Sequence, residues 1–108
     1  MIRATLLKDG KGGYAGYVVK GHAGWAEEGR DIVCAAVSSL TCACANALES
    51  VCGLNPEIRV SKGSMRVRLP GDPGHDAQVV LGVLRQGLTD LREQYPDLIA
   101  INETTMEE

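Results

Sequence analysis

From Ile32 to Leu48 the chain carries no charged side chain, no proline and no glycine; its residues are mainly alanine, cysteine, serine, valine and leucine. Uninterrupted small and apolar positions of this kind read as one long helix over residues 31–52, closed by Gly53 with Pro56 soon after. A helix without a wet face is expected to be buried on most sides, and its small side chains let neighbouring backbones come close. In a chain of 108 residues, a second copy of the chain is a natural cover, so a homodimer is expected.

The remaining segments arrange themselves around that helix. Residues 2–8 and 14–20 read as strands joined by the glycine-rich turn Asp9-Gly10-Lys11-Gly12-Gly13. Residues 57–61 and 64–69 form a second hairpin across Lys62-Gly63, with Ile58, Val60, Met65, Val67 and Leu69 facing one way and Arg59, Arg66 and Arg68 the other. An amphipathic helix over 75–95 carries Ala77, Val80, Leu81, Leu84, Leu88, Leu91 and Tyr95 on one stripe, and Pro96 stops it. Residues 98–102 are a last short strand, and 103–108 are expected to fray. The order is ββαββαβ, an α+β domain with a mostly antiparallel sheet.

Composition narrows the function. The length suits a single domain over 1–108, and 44% hydrophobic with 23% charged residues suits a folded globule. A net charge of −3 argues against wrapping nucleic acid by bulk electrostatics while leaving room for a local basic stripe. No run reads as approaching the roughly 20 apolar residues of a membrane span, so no membrane partner is expected. The first residues lead into a strand instead of a charged head and apolar block, which gives a cytoplasmic expectation and reduced cysteines. Cys34, Cys42, Cys44 and Cys52 all fall on the first helix. Cys42 and Cys44 point to nearly opposite sides, and Cys34 and Cys52 are separated by about 27 Å of helix. Neither pair can hold a zinc ion or form a disulfide within one chain, so no metal and no cofactor are expected. Cys42, Cys44 and Cys52 read as inert filler, and His75 as a solvated side chain.

Chemistry concentrates between Gly21 and Cys34. His22 ends a strand, and Cys34 falls in the first helical turn if Asp31 is the N-cap. Backbone amides and the positive end of the helix dipole favour a thiolate there, an imidazole can exchange its proton, and free first-turn amides suit an oxyanion. A core cysteine and a surface histidine remain the bland alternative, because spacing alone does not pair them. Asp31 is either the helix cap or a third member that orients His22, the cap being favoured because the two uses compete. Ser38, one turn beyond Cys34 on the same face, either bonds near the site or bonds back to helix carbonyls.

The block Gly21-His22-Ala23, then a loop, then Asp31-Ile32-Val33-Cys34-Ala35-Ala36-Val37-Ser38 resembles the signature of the ribosomal-processing cysteine protease family of Firmicutes and related bacteria. The likeness extends in pattern over essentially the whole chain. It implies a homodimeric endopeptidase that removes the short N-terminal extension of large-subunit ribosomal protein twenty-seven. It also implies that His22 is the base and Cys34 the nucleophile, with Asp31 and Ser38 at the motif's other polar positions. Residues 23–30 would then be a lid hinged at Gly24 and Gly29, and Trp25 would either cover a peptide or pack against the sheet. An extended substrate would find backbone partners at the sheet edge near His22. Two competing readings remain: an RNA- or ribosome-associated module using Arg59, Lys62, Arg66 and Arg68, and a thiol redox sensor.

Overall fold

The computed structural model describes residues 1–27 and 30–106. Seven elements follow in the expected order: β1 (Ile2–Lys8), β2 (Tyr14–Gly21), α1 (Ile32–Ser50), β3 (Glu57–Ser61), β4 (Ser64–Arg68), α2 (Gly74–Gln94) and β5 (Ile99–Thr105). The strands form one sheet in the order β3-β4-β2-β1-β5, antiparallel throughout except where β1 and β5 run parallel.

Strand alternation decides which side chains meet the helices. Ile2, Ala4 and Leu6 of β1, Tyr17 of β2, Val67 of β4 and Ile99 of β5 join one core with Val33, Val37 and Leu48 of α1 and Leu81, Leu84 and Leu88 of α2. Tyr17 lies at its centre: its ring is 1% exposed and its hydroxyl donates to the Thr41 carbonyl of α1 at 2.6 Å. Burial, with the Cys44 and Cys42 sulfurs adding to it, pushes this phenol far above its ordinary value.

Three expectations need correction. Residues 103–105 do not fray: they continue β5 beside Leu6, Leu7 and Lys8, and Glu103 pairs with Lys8 and with Arg85 of α2. The first helix is not enclosed on most sides within one chain. Val33, Val37, Thr41, Cys44, Ala45 and Leu48 are buried, while Ile32, Ala35, Ser39, Cys42, Ala43 and Asn46 form an exposed face. Finally, α1 is by length and composition long and apolar enough to cross a membrane, which the sequence reading overlooked. Its packing against the sheet and α2 accounts for the same apolarity as that of a core helix.

Candidate active site

Asp31 organises the start of α1. Its Oδ1 accepts the amides of Val33 at 3.0 Å and Cys34 at 2.9 Å, and its Oδ2 accepts the amide of Trp25 at 3.1 Å. The amide of Cys34 holds the carboxyl below its ordinary range, with the Cys34 thiol and the amides of Trp25 and Val33 adding to the effect; burial opposes it. Asp31 is therefore the cap, and it also ties down the loop that precedes it. The His22 ring is not among its partners.

That cap changes the expected oxyanion site. The first-turn amides of Val33 and Cys34 are committed to Asp31 and are not free donors. A different amide faces the sulfur: the N–H of Ala23 donates to Cys34 Sγ at 3.2 Å. The residue after His22, two positions beyond the end of β2, thus touches the helix-start cysteine, which spacing in the sequence does not reveal.

His22 and Cys34 line the same two adjoining grooves, of about 330 Å³ and about 370 Å³. The imidazole makes no hydrogen bond to Cys34 or to any other described residue. The larger groove also takes in Gly24, Asp31 and Ser38. The other runs over apolar side chains, Ile2, Val19, Val37, Val60 and Met65. Ser38 is exposed in both grooves. The back-bond to helix carbonyls considered for it is made by Thr41, whose hydroxyl donates to the carbonyls of Val37 and Ser38.

Gly63, legible in the sequence only as part of the β3–β4 hairpin turn, belongs to the site. Its amide neighbourhood is joined to β2 by the bond from Gly21 N–H to the Gly63 carbonyl at 2.9 Å. A Cβ on Gly63 would stand 3.1 Å from His22 Nε2, and its φ is +73°. The turn is thus a seat for the ring, and only the hairpin glycine hinted at it. Gly21, at φ +94°, lies where a Cβ would run into the Met1 carbonyl.

Other expectations are redrawn. Trp25 is 53% exposed and is not among the residues lining either groove; it meets Tyr95 at the end of α2, edge to face, with centroids 5.4 Å apart. The hinge assigned to Gly29 lies outside the described residues. β2 is an inner strand, so the free edge bordering the site belongs to β3 through Val60 and Ser61. Cys42 is exposed and lines the apolar groove, whereas Cys44 is buried; only the second behaves as filler. Among the described residues no cluster of three metal-ligating side chains occurs.

The family model described as cysteine protease Prp matches residues 1–100. A curated Staphylococcus aureus protein named ribosomal processing cysteine protease Prp is 27% identical over 104 residues, 94% of this chain and 98% of its own length. A crystal structure of the S. aureus processing protease Prp with a covalently linked product peptide superposes with a TM-score of 0.88 at 28% identity, covering 96% of this chain and all of that one. A Streptococcus mutans crystal structure superposes with a TM-score of 0.86 at 31% identity, over 98% and 96% of the two chains.

Proposed function

This chain belongs to the cysteine protease Prp family, and on that premise we propose that it is an endopeptidase in which Cys34 is the nucleophile and His22 its proton partner. The observation that carries the reading is the hydrogen bond from the Ala23 amide to Cys34 Sγ, which brings the sulfur to the residue next to His22.

The steps follow from the groups at the site. The Cys34 thiol passes its proton to the imidazole as sulfur attacks the scissile carbonyl carbon and a C–S bond forms. The carbonyl oxygen takes up the electron pair, and the Ala23 N–H, already aimed at the sulfur, is the nearest amide able to meet it. The C–N bond then breaks, and His22 returns the proton to the leaving amine. Water attacks the thioester, releasing the acid product and restoring the thiol. A covalently linked product peptide, as in the S. aureus relative, is the kind of species this route leaves. His22 and Cys34 share both grooves without a direct hydrogen bond, so substrate is assigned the role of drawing them together.

The substrate follows from the same family premise: the short N-terminal extension of large-subunit ribosomal protein twenty-seven. An extended segment with apolar side chains around the cut suits the groove over Ile2, Val19, Val60 and Met65, with the β3 edge alongside for its backbone. Such a role belongs in the cytoplasm, where ribosomes are assembled. A homodimer in which a second α1 covers the exposed face of Ala35, Ser39, Cys42 and Ala43 supplies what one chain leaves open. Mass spectrometry of the extended ribosomal protein after incubation with the parent and with Cys34→Ala tests the substrate. Shortening by the parent alone supports it; no shortening by the parent overturns it.

A further inference from the structure

The sheet face turned away from both helices carries a charge pattern that the peptidase reaction does not use. Alternation places Arg3 of β1, Lys20 of β2, Arg66 and Arg68 of β4 and Arg59 of β3 on that face, all exposed. Glu57 is the one carboxylate set among them, opposite Arg68. Lys62, grouped with these arginines from the sequence, lies in the hairpin turn instead, and the register brings in Lys20 and Arg3.

The register also sets like charges directly opposite one another twice, Arg59 against Arg66 and Arg3 against Lys20. Like-charge cross-strand pairs destabilise a sheet. Among the described residues none of the five cations is in an ion pair. The chain as a whole carries −3, so this concentration is a local property. Two shallow concavities of about 260 Å³ and about 290 Å³ meet over Arg59 and Arg66.

We propose that this outer face is a docking surface for the phosphate backbone of RNA. Four of the five cations are arginines, whose planar forks pair with phosphate oxygens through two hydrogen bonds at once. They spread over four adjacent strands, about 14 Å across at the usual strand spacing, which suits a ribbon of evenly repeated charge. An acidic peptide fits less well, because the concavities on this face are shallow and lined largely by charged side chains, with no deep apolar pocket to anchor one. No aromatic side chain stands on it for bases to stack against, so binding is by backbone and indifferent to base sequence. One of the concavities meets the apolar groove at Val60, Ser61 and Ser64, but Arg59 and Arg66 line neither His22–Cys34 groove, and the proposal does not depend on what is cleaved there.

The test is fluorescence anisotropy of a labelled RNA duplex titrated with the intact chain across a salt series, with poly-glutamate as the competing polyanion. The parent should bind at low salt, with log K falling against log salt at a slope of about −3 to −4, as for a few neutralised phosphates. Replacing both Arg59→Gln and Arg66→Gln should weaken binding about tenfold or more and flatten the slope by about two. The same variant should melt no lower than the parent and cleave a short peptide substrate at the parent's rate. Absence of RNA binding at low salt, or equal binding by parent and variant, overturns the proposal. Displacement of RNA by poly-glutamate at matched charge concentration also overturns it, in favour of an acidic protein partner.

Discussion

The amide of Ala23 points at the sulfur of Cys34 from 3.2 Å, although the two residues lie eleven positions apart in the chain. This contact places the Ala23 N–H beside the sulfur, where it can donate to the carbonyl oxygen of a substrate under attack, while the amides of Val33 and Cys34 already serve the Asp31 carboxylate. An amide-to-ester substitution at Ala23 removes the N–H while leaving the side chain in place. It should lower kcat by about 10²–10³-fold with little change in KM, read from peptide hydrolysis by the semisynthetic chain.

Asp31 links the helix start to the loop, and its carboxyl titrates below its ordinary value. A carboxyl lowered in the folded state contributes stability above its unfolded value near 3.8, and that contribution is lost as pH falls through the lower folded value. Asp31→Ala should lower Tm near neutral pH by about 5 °C through loss of the cap. The gap between parent and variant should shrink below about pH 4 as the parent carboxyl gains its proton. Thermal melts over that range check both.

Gly63 holds its place by conformation and by closeness to the His22 ring. In Gly63→Ala a methyl group would press on Nε2 and the positive φ would be strained. Peptide hydrolysis should fall about tenfold or more. The visible cause should be displaced His22 ring resonances in the NMR spectrum, with the far-UV spectrum unchanged.

Trp25 is the one tryptophan in the chain and rests edge-on against Tyr95. An aromatic pair of this geometry contributes about 0.5–1.5 kcal/mol beyond its buried area. Tyr95→Ala should therefore red-shift the tryptophan emission and speed proteolytic nicking of the loop after His22. Unchanged emission would mean that the ring contact does not hold the loop in solution.

Much of this fold is legible in the chain because its periodicities are clean. The alternation of Ile58, Val60, Met65 and Val67 and the stripe from Ala77 to Leu91 each admit one reading, and the structure carries both. Local polarity misled at residues 103–105, where Glu103 continues β5 because Lys8 and Arg85 receive its carboxylate. The site was legible only as residue types. That His22 and Cys34 share a groove depends on how β2 ends against α1, and that Gly63 backs the ring depends on the pairing of β2 with β4. Both are non-local contacts that spacing along the chain does not encode. The cap at Asp31 is legible in the sequence, but its consequence for the oxyanion site is not: a cap and an oxyanion site draw on the same donors, and only geometry says which prevails.

The most direct test of the account compares single-turnover cleavage of an extension peptide by the parent, Cys34→Ala, His22→Ala and the double variant, with products resolved by mass spectrometry. Two groups acting as one unit should each, when removed, lower the rate by about 10³-fold or more, and removing both should cost no more than removing Cys34 alone. Cleavage at the parent rate by Cys34→Ala, with the same bond broken, would contradict the account outright.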